Sequence, residues 1–169
     1  MSKTILITGG AGFIAHHLVD KILSTTDWSI VTLDRLDFSG NLNRLKEVVS
    51  SYPEIEQKRI KVVYHDLKAE LNPEIISTIG KIDFISHLAA GSHVDRSITH
   101  PLAFVMDNVV GTAHILDYAR KNRIKWVEDD SNRDETLDRN FLRRQLLPKV
   151  YKKYPDSRPV IARSIKNLA

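Results

Sequence analysis

The pattern of apolar and polar residues follows two alternating periods through the first three quarters of the chain. Four short apolar runs, rich in β-branched residues, stop at glycine, aspartate or a polar turn, which is typical of buried parallel strands. These predicted strands are TILIT (residues 4–8), SIVTL (29–33), IKVVY (60–64) and residues 82–88. Between them, apolar residues recur every three or four positions, which predicts helices. The alternation of strand and helix predicts an α/β protein with a mainly parallel sheet and right-handed crossovers.

The alternation stops near Glu128 and divides the chain into two parts. In residues 1–127, helices are predicted at residues 13–23, 41–50, 73–79 and 103–122, and residues 124–127 form a candidate fifth strand. Residues 128–169 begin with a polar acidic loop. A helix then follows from about Thr136 to Tyr154, which Pro148 should kink or restart, and a last helix from about Ser157 to Leu168. We expect this second part to pack on the same sheet, so that the chain forms one compact domain.

Composition excludes several classes of site. A chain of 169 residues suits one domain, and the absence of cysteine excludes disulfides, thiolate metal sites and a cysteine nucleophile. The start MSKTILITGG lacks the features of a signal peptide, and no apolar run approaches the ~20 residues of a membrane span. We therefore expect a cytoplasmic location and no membrane partner, and no metal site is predicted.

Charge is distributed unevenly along the chain. Residues 1–127 hold 15 basic and 14 acidic residues, whereas residues 128–138 hold six acids and one arginine. Residues 139–169 hold nine basic residues and one acid. This polarity is compatible with a nucleic-acid contact, but a solvated basic helix is the favoured interpretation.

The turn after the first strand has the sequence TGGAGFIA (residues 8–15). Gly9 and Gly12 allow a tight turn whose backbone approaches a pyrophosphate, and the following helix offers its N-terminal amides to the phosphate charge. Asp34 ends the second strand, where an acid accepts hydrogen bonds from a ribose 2′-hydroxyl and repels a 2′-phosphate. This favours NAD over NADP, although Arg35 beside it weakens the preference. The alternative is that the glycines only make a sharp strand–helix turn.

Five stretches carry a family resemblance: TGGAGFIA, LDRLDFSGNLNRL, HDL, HLAAGSHVDRSITHP and DNVVGTAHILDYAR. From about residue 3 to residue 127 the chain resembles the N-terminal, NAD-binding part of the extended short-chain dehydrogenases, in particular the NAD-dependent dTDP-glucose 4,6-dehydratases. The resemblance implies a Rossmann-like, three-layer α/β/α fold with four or five strands, finished here by the C-terminal helices. It implies NAD as cofactor, with Gly9, Gly12, Phe13 and Ile14 at the pyrophosphate, Asp34 at the ribose, Asp66 and Leu67 at the adenine, and Leu88, Ala89 and Ala90 at the nicotinamide.

The same resemblance raises doubts about substrate and catalysis. It places residues 93–97 near a sugar-nucleotide site, but Gly91 stands where the family usually has a larger polar residue. The family's base is a tyrosine in a helical Tyr-x-x-x-Lys motif. The literal match, Tyr64 to Lys68, follows a strand and overlaps the predicted adenine contact, so we interpret it as coincidence. The 42 residues after Val127 leave no room for a sugar-nucleotide domain, and no catalytic residue is predicted.

Residues 126–155, WVEDDSNRDETLDRNFLRRQLLPKVYKKYP, resemble a different family, the bacterial tRNA(Ile)-lysidine synthetases. The ATP loop of that family is absent from this chain. The residues that match its pattern are expected to be structural here; they are Asp130, Asn132, Arg139, Asn140 and Arg143.

We interpret the sequence as a chimera of the two families, engineered or recombined, with its join within about residues 115–128. Such a protein would lack catalytic activity of its own and retain weak binding of NAD(H) or another nucleotide. Two alternatives stay open: a fragment of an NAD-dependent dTDP-glucose 4,6-dehydratase, and a tRNA-binding module that uses the basic C-terminal helix. Candidate partners are a dinucleotide and, through an exposed sheet edge, a second copy of the chain; nucleic acid is disfavoured.

Overall fold

The structure, a computed structural model, describes residues 2–37, 40–127, 129–160 and 163. It separates into two units, Met1–Lys125 and Trp126–Ala169. That the second part packs on the sheet of the first stays a prediction. Among the helices of the described ranges, none combines the length and the apolar character that crossing a bilayer requires.

A four-stranded parallel sheet in the order β3-β2-β1-β4 forms the centre of the first unit. Its strands are β1 (Thr4–Thr8), β2 (Ser29–Asp34), β3 (Ile60–Tyr64) and β4 (Phe84–His87). The helices of this unit are α1 (Ala15–Thr25), α2 (Leu42–Ser50), α3 (Glu54–Gln57), α4 (Pro73–Ile79), α5 (Val94–Thr99), α6 (Pro101–Val105) and α7 (Gly111–Lys121). The predicted α/β class with a parallel sheet is confirmed.

The sheet has an apolar cluster on each face because the central strands are buried on both sides. Leu6 and Val31 pack with side chains of α4 and α7, whereas Ile5, Ile7 and Ile30 pack with side chains of α1 and α2. This pattern produces three layers, with helices on both faces. Strand order reverses between β1 and β4, and the crevice beyond the carboxyl ends of such strands is the usual place for a ligand.

The fifth strand predicted at residues 124–127 is wrong, because these residues are irregular. Arg123 takes a positive φ of 55°, which turns the chain, and Ile124 then packs against the α4–α7 side of the sheet. Trp126 and Val127 are 83% and 93% exposed. Their side chains therefore lack the burial that would hold an apolar strand beside β4.

The helix predicted at residues 103–122 is present, and it contains an irregularity. α6 continues through a π-helical turn at Met106–Val110 into α7. Single π-helical turns within longer helices are often found at functional sites. This turn contains Asp107 and Asn108, two polar residues that reach the candidate site described below.

In the second unit, a 3₁₀ turn (Asp130–Arg133) is followed by α8 (Asp138–Phe141), a π-helical turn (Leu142–Leu146) and α9 (Leu147–Lys153). Pro148 lies in the first turn of α9 and has no N–H to continue the preceding ladder, so the predicted restart is present. Residues 157–160 are helical, and most of the remaining helix predicted up to Leu168 lies outside the described residues.

Asn140 is the buried polar centre of this second unit, with 1% of its surface exposed. Its side-chain amide donates to the carbonyls of Ser131 and Asp134 at 2.7 Å each, and its carbonyl accepts from Arg143 at 3.1 Å. The cap of the 3₁₀ turn is Asp129, whose carboxylate accepts from the Ser131 amide. Asn140 thus connects α8 to the 3₁₀ turn and to Asp134. That Asn140 and Arg143 are structural stays a prediction.

Candidate functional site

A cleft lies at the carboxyl ends of β1, β2 and β4, and it brings together most of the predicted cofactor residues. Eight of the ten line it: Gly9, Gly12, Asp34, Asp66, Leu67, Leu88, Ala89 and Ala90. Phe13 and Ile14 are not among the lining residues and are 70% and 67% exposed. Their predicted contact with the pyrophosphate stays a prediction. The structure adds eight lining residues that were not among the predicted cofactor residues, namely Leu33, Arg35, Asp37, Gly40, His65, Lys68, Gly91 and Asp107.

The glycine loop lies directly against the segment that leaves β4. Gly9 has a positive φ of 69°, and a Cβ placed there would lie 2.9 Å from both the Cα and the backbone nitrogen of Ala89. A Cβ on Gly12 would lie 2.9 Å from the Gly9 carbonyl oxygen, which accepts the Gly12 amide at the same distance. The loop therefore has no room for side chains at these positions. A bare backbone of this kind fits the close approach of a pyrophosphate.

Asp34 fastens the glycine loop to the end of β2. Its two carboxylate oxygens accept the backbone amides of Ala11 and Leu36, at 2.9 and 2.8 Å. Leu36 takes a φ of 54°, a conformation that is uncommon for a leucine and that this turn imposes. The carboxylate is thus held in place before any ligand binds, with lone pairs left to accept from ribose hydroxyls.

Charged side chains surround the same end of the cleft. Arg35 pairs with Asp107 and Asp37, while Lys68 pairs with Asp66 at 3.2 Å. The hydrogen bond that Arg35 donates to Asp107 has the largest influence on the pKa of Arg35 and raises it. Burial opposes this effect, the hydrogen bond to Asp37 adds to it, and the pKa lies well above its usual value. Burial raises the pKa of Asp66, but the amide and ammonium of Lys68 outweigh this effect, so the pKa lies below its usual value.

A chain of hydrogen bonds holds the segment after β4 on the opposite side of the cleft. The Thr8 hydroxyl oxygen accepts the amides of Leu88 and Ala89 at 3.2 Å each, so its own proton points to Nδ1 of His87, 2.6 Å away. Nε2 of His87 therefore carries the ring proton and donates to the Thr112 hydroxyl at 3.0 Å. Burial lowers the pKa of His87, in accord with this neutral tautomer.

The neutral His87 predicts that the protein loses stability in acid. Because the folded-state pKa is lowered, the stabilisation by His87 is fully present above the ordinary value of 6.5 and is lost as pH falls towards the folded-state pKa. The difference in Tm between about pH 7.5 and about pH 5 should be smaller in His87→Gln than in the wild type. Thermal denaturation at both pH values measures it. His100→Gln, at an exposed histidine, is the matched control and should keep the wild-type difference.

Gly91 is fixed by the π-helical turn. Its amide donates to the side-chain carbonyl of Asn108 at 2.7 Å, and the Asn108 amide donates back to the Gly91 carbonyl at 3.0 Å. A Cβ at Gly91 would lie 3.0 Å from the Phe104 ring. A larger residue at this position would therefore require that ring to shift. The packing of Phe104 thus explains why residue 91 is a glycine.

The two residues of the literal Tyr-x-x-x-Lys match, Tyr64 and Lys68, are not arranged as a catalytic pair. Tyr64 ends β3 with its side chain 67% exposed, and Lys68 pairs with Asp66. Helical spacing does not apply between them, because residues 65 and 66 are irregular. The prediction of coincidence stays a prediction.

Comparison with known proteins shows the family to which this chain belongs. Residues 6–132 match the family described as GDP-mannose 4,6 dehydratase. The chain belongs to this family. Curated proteins similar to this chain include a dTDP-glucose 4,6-dehydratase of Escherichia coli, 40% identical over 125 residues. That alignment covers 74% of this chain and 33% of the relative. The chain spans about a third of the length of the curated dehydratases it matches.

Solved structures agree with this family and confirm the Rossmann-like fold. A dTDP-glucose 4,6-dehydratase from Streptomyces venezuelae with NAD and TYD bound has a TM-score of 0.59 and 34% identity. The match covers 72% of this chain and 37% of that one. The UDP-Glc/GlcNAc 4-epimerase of Campylobacter jejuni has a TM-score of 0.62 and 28% identity, with 73% and 35% covered.

The interpretation of the chain as a chimera without catalytic activity is contradicted by these matches. The family match continues to residue 132, past the predicted join at residues 115–128. An alignment with a trifunctional enzyme of Arabidopsis thaliana, which includes a UDP-glucose 4,6-dehydratase, is 38% identical and covers 86% of this chain. The findings support the alternative, a chain like part of a dTDP-glucose 4,6-dehydratase. The resemblance of residues 126–155 to tRNA-lysidine synthetases gains no support from them.

Proposed function

We propose that this chain binds NAD in the cleft and serves as the dinucleotide-binding part of a dTDP-glucose 4,6-dehydratase. One observation carries the proposal: the side-chain-free loop at Gly9 lies against Ala89, beside a carboxylate, Asp34, already held by backbone amides. These features occur together at the crevice between β1 and β4, where dinucleotides bind in sheets of this topology. Relatives of known structure that contain NAD belong to the same family of folds.

Each end of the cleft has groups that suit one end of the dinucleotide. Gly9 and Gly12 would face the pyrophosphate, and Asp34 would accept from the adenosine ribose. The adenine would lie by Asp66 and Leu67. The nicotinamide would lie by the segment Leu88–Ala90, which the Thr8 hydroxyl holds by two amides. Bound NAD would supply a hydride acceptor for chemistry on a sugar nucleotide.

We propose that the sugar nucleotide binds near residues 93–97, which comprise the N-cap and the first four residues of α5 and begin two residues after the cleft residue Gly91. The relatives from Escherichia coli and Streptomyces venezuelae are dTDP-glucose 4,6-dehydratases, and dTDP-glucose is proposed as the substrate of the complete enzyme to which the chain corresponds. A cytoplasmic location and a homodimer through an outer strand, β3 or β4, accompany the proposal as predictions.

Calorimetric titration with NAD tests the proposal. We expect saturable binding by the wild type; weak affinity is the prediction. We expect no measurable binding by Gly12→Val, because any Cβ at residue 12 collides with the Gly9 carbonyl. Saturating NAD should also stabilise the wild type, by about 2.7 kcal/mol at a hundredfold excess over Kd. Glu47→Gln, at an exposed residue of α2, is the control that should bind as the wild type does.

Two results would contradict the proposal in different ways. If the wild type neither releases heat nor gains stability with NAD, the cleft is not a dinucleotide site. If Gly12→Val binds as tightly as the wild type, NAD binds elsewhere on the protein.

A further inference from the structure

The guanidinium of Arg35 is held by carboxylates on two sides. Its two terminal nitrogens meet the two oxygens of Asp107, at 2.5 and 3.0 Å, in a two-pronged pair. Its Nε donates to Asp37 at 2.8 Å, and the same Asp37 oxygen lies 2.6 Å from Nη2. Asp66 approaches the same group at 3.8 Å. The Asp107 carboxylate is only 15% exposed, so this pair is largely shielded from water.

Arg35 lies at a position that influences whether a dinucleotide-binding protein accepts NADP. It directly follows Asp34, the acid at the end of β2. An arginine near this acid accommodates a 2′-phosphate in proteins that use NADP, because a guanidinium pairs readily with phosphate oxygens. Here the donors of that guanidinium are directed to Asp107 and Asp37. The lysine that lines the cleft, Lys68, is paired as well, with Asp66.

We propose that Asp107 determines cofactor specificity by holding Arg35 away from a 2′-phosphate. This inference rests on the proposed binding of NAD in the cleft. Asp107 belongs to the π-helical turn of Met106–Val110, 72 residues along the chain from Arg35. Its two-pronged pair fixes the plane of the guanidinium. Asp37 is two residues away in the same loop; it accepts a hydrogen bond from Nε and lies 2.6 Å from Nη2. Loss of Asp107 therefore removes a hydrogen bond from each terminal nitrogen. Nη2 keeps its ion-pair contact with Asp37, and Nη1 becomes the donor that a phosphate would use.

The Asp107 carboxylate accounts for only part of the expected preference for NAD over NADP. Asp34 stays in place on the Ala11 and Leu36 amides and continues to repel a 2′-phosphate. We expect removal of the Asp107 charge to reduce the ratio of the Kd for NADP to the Kd for NAD about tenfold, the effect of roughly one charge-assisted hydrogen bond. Reversal of the preference is not expected.

The test is calorimetric titration of the full chain with NAD and with NADP. Asp107→Asn keeps the size of the side chain and removes its charge, and should lower the Kd ratio. The double variant Asp107→Asn/Arg35→Ala should return the ratio to the wild-type value or above it, because the gain depends on the freed guanidinium. Glu47→Gln removes one exposed negative charge from α2 and should leave the ratio unchanged. Asp37→Asn is a second variant that should shift the ratio in the same direction, by less.

Several outcomes separate this inference from the proposed function. An unchanged ratio in Asp107→Asn, with NAD still bound, overturns the inference and leaves the proposed function intact. A tenfold gain in Glu47→Gln also overturns it, since the effect would then come from overall charge. If Asp107→Asn does not fold, an unchanged ratio in Asp37→Asn overturns it. If the wild type binds neither dinucleotide, the proposed function fails and the inference fails with it.

Discussion

Replacement of Gly9 by alanine should abolish NAD binding and destabilise the protein by about 2–5 kcal/mol. The backbone at Gly9 has a φ of 69°, a left-handed conformation that costs an alanine about 1–2 kcal/mol. The new Cβ would also lie 2.9 Å from the Cα and nitrogen of Ala89. These are backbone atoms that cannot rotate away, so the glycine loop or the segment after β4 must shift, and overpacking of this kind costs about 1–3 kcal/mol. Urea denaturation and titration with NAD measure the two effects.

Gly80 provides a matched control for this variant. It also has a positive φ, 77°, but a Cβ there would meet no atom within 4 Å. Gly80→Ala should therefore show the cost of backbone strain alone, about 1–3 kcal/mol, and should bind NAD as the wild type does. If both variants lose the same stability and both bind NAD, the close approach of Gly9 to Ala89 does not exclude a side chain at residue 9.

Replacement of Leu6 by alanine should destabilise the protein by about 2–5 kcal/mol. Leu6 lies in the middle of β1 with none of its surface exposed, and it packs in the cluster shared with α4 and α7. Its neighbours in the sheet are Val31 of β2 and Ile85 of β4. The cavity left by the lost side chain would be bounded by these strands, which cannot close on it without distorting the ladder. The free energy of unfolding from urea denaturation is the measurement.

Leu102→Ala is the control with the same chemical change at a surface position. Leu102 lies in α6 with 72% of its surface exposed, so the expected loss is below about 0.5 kcal/mol. A loss as large as that of Leu6→Ala would show that Leu102 is covered in solution. A small loss in Leu6→Ala would contradict the assignment of β1 as the centre of the core.

The interpretation as a chimera shows how a short pattern can outweigh the rest of a sequence. Residues 126–155 offered a distinctive local pattern, and the predicted join was placed where that pattern begins. The family match to residue 132 and the alignment over 86% of the chain extend past that point. The fifth strand failed for a related reason. Residues 124–127 have suitable apolar side chains, but a strand also needs a covered face, and Trp126 and Val127 are exposed.

The sequence by itself determined the layered α/β fold and the position of the cleft. Both follow from local features, because the period of apolar residues selects strand or helix, and the glycines after β1 and the acid after β2 act within their own turns. Only the tertiary structure decided which side chains meet across the cleft. Arg35 meets Asp107 from 72 residues away, and Thr8 meets His87 from 79 residues away. No spacing in the sequence encodes such pairs, since they depend on strand order and on the π-helical turn that carries Asp107 to the end of β2.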